Sequence, residues 1–157
     1  MTDVLLWKMP DGKIVLGVPL PETRGAQEPL NQWLDRLALA WRPHPQAVVL
    51  SSVPASTLPG NRAFRNCWRD DGLGKVQVDM PLARQLRLEE IRAKRDVLLA
   101  QTDTLLLRAV EAQDAPRQQA LKALRQTLRD VPQSFPLDKF TTPEALAQAE
   151  PPWPVVA

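Results

Sequence analysis

The chain has 157 residues, 44% hydrophobic and 24% charged, with 20 Lys and Arg against 18 Asp and Glu for a formal charge of +2. That content favours one domain, or a small domain with an appendage, and argues against a disordered or membrane-spanning chain, since no window approaches the ~20 apolar residues a spanning helix needs. Acids such as Glu89, Glu90, Asp96, Asp103 and Asp130 are interleaved with the arginines, whereas nucleic-acid modules gather positive charge on one face.

The opening Met1-Thr2-Asp3-Val4 shows no basic segment ahead of an apolar one, so the product is expected to stay in the cytoplasm where it is made. A single cysteine, Cys67, rules out an intrachain disulfide framework and fits a reducing compartment.

In chain order, residues 4–8 (Val-Leu-Leu-Trp-Lys) read as a strand, Pro10-Asp11-Gly12-Lys13 as a turn and 13–18 as a second strand, giving a β-hairpin. Residues 28–41 predict a helix whose face is Leu30, Trp33, Leu34, Leu37 and Trp41, with Glu28 and Pro29 in its first turn. Pro43 and Pro45 end it, and 46–53 predict another strand. Asn61 to Trp68 reads as one helical turn or as the approach to a strand. Asp70 to Gly74 is a turn, and 75–79 alternate like a strand.

The 16 prolines nearly spare residues 82–131, which is where long helices are expected. Asp79 caps the first, with Pro81 in its opening turn. It runs from Leu82 to about Gln113, with a weak point at Thr102-Asp103 and a seam of Leu82, Leu86, Ile91, Leu98, Thr102, Leu105 and Ala109. Ile91, Leu98 and Leu105 stand seven apart, a coiled-coil-like stripe. Glu90 with Lys94, and Arg92 with Asp96, are placed to pair on the solvent face. Asp114 caps the next helix, Leu121, Leu124 and Leu128 form its stripe, and Pro132 stops it. The short connector implies an antiparallel αα-hairpin. Thr142-Pro143-Glu144 opens a short helix, and Pro151-Pro152-Trp153-Pro154 is extended.

The residues offer little chemistry. His44, the only histidine, sits between two prolines. Cys67 reads as a small buried apolar residue. One histidine and one cysteine cannot build a histidine- or thiolate-based zinc site. Asp70-Asp71 and Glu89-Glu90 read as solvated charges, and no glycine-rich phosphate loop is present. No catalytic, cofactor-binding or metal-ligating set is expected, and the protein is not expected to be an enzyme. The arginines of the two helices read first as a solvated face and second as recognition of carboxylates on a protein partner.

Arg92-x-x-Arg95-Asp96-x-Leu98-Leu99-x-x-Thr102-Asp103, followed by Arg125-Gln126-x-Leu128-Arg129-Asp130-Val131-Pro132 and a terminal Trp153-Pro154, resembles the phage tail assembly chaperone family. Arg62-Ala63-Phe64-Arg65-Asn66-x-Trp68 and the Thr-Pro-Glu-x-Leu segment ending at Leu146 are similar to small tail-module proteins of siphophages and Mu-like prophages. The chain departs from the chaperone pattern at Thr104, where that family commonly has tryptophan, and at Leu124, where it has tyrosine.

The expected fold is α+β: a small β-rich part with one amphipathic helix over 1–79, an antiparallel αα-hairpin over 80–132, and a short helix with an extended Pro/Trp tail over 133–157. The resemblance implies a bacteriophage protein that binds a tail-fibre, tail-tip or baseplate protein, as an assembly chaperone or as a small structural tail subunit. It would act in the host cytoplasm during assembly or remain in the virion tail, with self-association left open. The residues that would bind the partner are Arg62, Phe64, Arg65, Trp68, Arg92, Arg95, Arg125, Arg129 and Trp153. The alternative is a nucleic-acid-associated regulator using the basic helices.

Overall fold

The computed structural model describes residues 3–156. They fold as α+β, with short antiparallel strands ahead of long helices, in two compact units divided between Met80 and Pro81.

In the first unit, β1 (Asp3–Lys8) is the central strand of a sheet ordered β2-β1-β3, with β2 at Ile14–Gly17 and β3 at Val48–Pro54, both antiparallel to it. Its run of apolar residues is explained by burial on both faces. Leu5 and Trp7 point to α1 (Leu30–Ala40) and pack with Trp33, Leu34, Leu37 and Ala38. Val4 and Leu6 point the other way, to Ile14, Leu58 and Trp68. Trp7 Nε1 donates to Ala38 O at 2.9 Å, so the buried indole is satisfied. The register with β3 shifts between Leu6 and Trp7, whose partners are Ser51 and Val49, leaving Leu50 as a bulge.

The expected hairpin turn is present: Met9 N donates to Lys13 O and Gly12 takes φ +81°. Helix α1 is shorter than its pattern predicts. Ala38 is buried, while Leu30 is 45% and Trp41 38% exposed. Those two lie at the ends of the helix, where its buried face has run out. Asn61 to Trp68 satisfies both readings of its sequence, because a 3-10 turn at Arg65–Cys67 leads directly into β4 (Trp68–Asp70). β4 pairs antiparallel with β5 (Val76–Val78).

The second unit is built on α2 (Met80–Glu111) and α3 (Ala115–Ser134). Two bridges set their register. Gln118 Nε2 donates to Ala109 O, and Arg125 Nη1 donates to Thr102 Oγ1. From the first to the second, one helix advances seven residues and the other retreats seven, so the pair is antiparallel with heptad spacing. Ile91, Thr102 and Ala109 are buried on α2, and Leu121, Leu128, Val131 and Pro132 on α3. A short helix, α4 (Pro143–Gln148), and the extended residues after it complete the unit.

Two sequence expectations are corrected here. Helix α2 does not weaken at Thr102-Asp103. Thr102 is fully buried, and its hydroxyl donates to Leu99 O at 2.6 Å while accepting from Arg125. Pro132 does not stop α3, which continues to Ser134. In a last turn the missing N–H deprives only one carbonyl, and the buried ring adds apolar contact.

Candidate functional site

The residues named as a binding set fall into both units. In the first, Phe64 and Trp68 are 2% and 0% exposed, so both rings belong to the core, while Arg62 and Arg65 flank them on the surface. Cys67, next to Trp68 in the chain, is buried as well, and burial pushes its thiol pKa up.

The Asp70-Asp71 pair is not merely solvated. Asp70 Oδ1 accepts from Gly72 N and Gly74 N, and its other oxygen lies 3.5 Å from Lys8 Nζ. Asp71 accepts from Leu73 N and Lys75 N, and these amide bonds hold its carboxyl below the ordinary range. Both carboxylates therefore serve the β4–β5 turn. Beside it lies a cavity of about 400 Å³ lined by Leu6, Val53, Leu58, Lys75 and Val76.

In the second unit, the arginines divide by what they touch. Arg125 is committed inside the hairpin: its Nη1 donates to Leu99 O, Thr102 Oγ1 and Asp103 Oδ1. Arg95 pairs with the adjacent Asp96 at 2.7 Å. Arg92 and Arg129 are exposed.

Three other cations hold the C-terminal segment onto α2. Arg84 Nη2 donates to Phe140 O at 3.0 Å. Arg87 donates to Ala149 O from Nε and Nη2, at 3.1 and 2.5 Å, and pairs with Glu150 at 3.1 Å. Lys94 reaches Glu150 at 2.5 Å and sits 5.3 Å from the centre of the Trp153 ring. Trp153 Nε1 in turn donates to Glu150 Oε1 at 2.7 Å. Trp153 thus packs against its own unit. These contacts replace the pairs expected on the solvent face: Glu90 pairs with Arg87 and not Lys94, and Asp96 with Arg95 and not Arg92. Lys94 is the largest of the influences that hold the Glu150 carboxyl below the ordinary range. Sequence spacing had no means of finding this cluster, because Arg87 and Glu150 are 63 positions apart.

A second feature lies along α2. Ala93, Val97, Ala100, Thr104 and Leu107 recur at spacings of four and three along α2 and are all exposed. Val97 is 60% and Leu107 58% exposed. Helix α2 therefore carries small and apolar residues on the face opposite Ile91 and Thr102 as well as on the packed one. Among the described residues, no group of His, Cys, Asp or Glu is placed to hold a metal, and no helix is long and apolar enough to cross a membrane.

The C-terminal unit is thus an αα-hairpin fastened by its own last residues, with an uncovered apolar stripe. Residues 88–156, which lie wholly within it, match the family described as phage tail assembly chaperone protein. The resemblance read from the sequence is upheld over that stretch, and it supports a role in phage tail assembly. The Phe64-to-Trp68 segment lies outside the match. No curated protein and no solved structure matches the chain.

Proposed function

We propose that the protein is an assembly chaperone that binds a tail-fibre or tail-tip protein of its phage in the host cytoplasm. It acts by binding and not by catalysis. The observation that carries this reading is the family match over the hairpin and its closing segment.

The stripe of Val97, Ala100, Thr104 and Leu107 is the surface best suited to grip a partner, because exposed apolar side chains at helical spacing remain unpaid in water until something covers them. Thr104, standing where the resembled family commonly has tryptophan, lies on this stripe. Arg92 and Arg129 are solvent-exposed cations of the same unit that can orient an acidic partner.

Co-expression with the tail proteins of the same phage tests the reading. Wild type should co-purify with a fibre or tip protein, and Val97→Asp with Leu107→Asp should release it while the circular dichroism stays unchanged. Absence of any tail protein from the wild-type complex would sink the proposal. Protein inventory of purified particles then separates a chaperone, which is missing from them, from a structural subunit.

A further inference from the structure

At about 100° per residue, the exposed stripe of α2 lies roughly 160° around the helix from Ile91, Thr102 and Ala109, so α3 leaves it open. Ala93, Val97, Ala100, Thr104 and Leu107 alternate steps of four and three, which are the a and d positions of a heptad repeat. Val97, Leu107 and the adjoining Val110 are 60%, 58% and 51% exposed. The residue types suit a two-stranded seam. Val97 and Thr104 at a are β-branched, Leu107 stands at d, and Ala93 and Ala100 at d let two backbones come close.

The flanks of the stripe say which helix would cover it. With Val97 at a, the g positions are Glu89, Asp96 and Asp103, and the e positions are Lys94, Gln101 and Arg108. All six are exposed. One flank is therefore acidic and the other carries the cations. Charges at e and g choose the partner of such a seam and its direction. In a parallel pair of α2 helices, each g residue meets the e residue five positions on in the other copy. Glu89 then faces Lys94, Asp96 faces Gln101, and Asp103 faces Arg108, with no like charges opposed. An antiparallel pair sets e against e and g against g, which brings Lys94 toward Arg108 and Asp96 toward Asp103. Lys94 is already engaged by Glu150, so the pair of Asp103 with Arg108 weighs most. Arg108 has no ion-pair partner among the described residues. Asp103 is bonded to Arg125, yet its side chain stays 64% exposed.

We propose that α2 pairs in parallel with α2 of a second copy of this chain, through the seam from Ala93 to Leu107, so that the protein is a homodimer. The inference goes beyond the chaperone reading and shares its surface. In that reading, on which this consequence rests, the second copy covers the stripe until a tail polypeptide displaces it.

The test is sedimentation velocity of the full-length protein at rising concentration. Wild type should pass from monomer to dimer. Arg108→Glu sets an acid against Asp103 and should weaken the dimer about ten-fold or more. Lys122→Glu makes the same charge change on α3 and should leave it intact. Both residues are exposed, so neither change threatens the fold. Leu107→Cys brings two thiols together only in the parallel arrangement, and mild oxidation should link it as a dimer. Wild type, whose one cysteine is buried, should not be linked. A wild type that stays monomeric, an Arg108→Glu dimer as tight as wild type, or failure of Leu107→Cys to link overturns the proposal. Co-expression separates the two levels. If wild type is monomeric yet captures the tail protein, this inference falls and the chaperone reading stands. If wild type forms the parallel dimer and captures no tail protein, the chaperone reading falls and the dimer stands.

Discussion

A Cβ placed on Gly17 would lie 2.9 Å from two atoms of the Trp7 ring and 3.4 Å from Trp41. Trp7 is pinned from behind by its bond to Ala38 O, so it cannot step aside freely. Gly17→Ala should therefore destabilise the first unit by about 1–3 kcal/mol, as overpacking does, measured by urea denaturation. Glu28 governs a different response. The Arg36 side chain, bonded to its carboxylate at 2.9 Å, and the Gly25 amide hold its pKa down to about 2. A depressed carboxylate contributes stability that is present above its unfolded pKa of roughly 4.3 and is lost as pH falls toward the folded value. Melting temperature should drop across that window in wild type, and Glu28→Gln should flatten this part of the profile.

At the scale of elements, the end of α2 is a place where the sequence is not optimal. Gln113 takes φ +55°, Asp114 N donates to Ala109 O and Gln113 N to Val110 O, which together form a Schellman cap. Gln113→Gly should stabilise the hairpin by about 1 kcal/mol by removing the left-handed penalty, visible as a higher melting temperature. On the facing helix, Leu128 is fully buried. Leu98, Leu105 and Leu128 changed together to aspartate should unfold this unit, seen as loss of helical circular dichroism, since each charge would enter the packed seam. The strands and helices themselves were legible because their spacing is local: Trp33, Leu34 and Leu37 betray a helix face, and Asp114 betrays a cap. What the sequence did not reveal depends on remote partners. Nothing near Thr102 announces the Arg125 bond, and nothing near Val4 to Trp7 names the two strands that flank this one. Of the binding set, Phe64 and Trp68 are large rings four positions apart, and both are core. The exposed stripe on α2 is legible in its spacing, but its exposure depends on which face of the helix α3 covers.

For the whole molecule, the chain divides into two compact units, and the family match lies inside the second. The second unit depends on the last stretch of the chain for closure. Removal of residues 149–157 takes away the Ala149 carbonyl and the Glu150 carboxylate that Arg87 and Lys94 hold. Hydrogen exchange along the first half of α2 should then quicken, with little change in the first unit. Glu150→Gln alone should cost less than about 1 kcal/mol, as an exposed ion pair does.

Those fastenings also set a clock. Arg87 is synthesised 62 residues before Ala149, whose carbonyl it grasps. At about 5–20 residues per second on the ribosome, the nascent helix waits roughly 3–12 s with its guanidinium unclaimed. Closure of this unit thus waits on the synthesis of Ala149 and Glu150, and a product truncated before them never receives its latch.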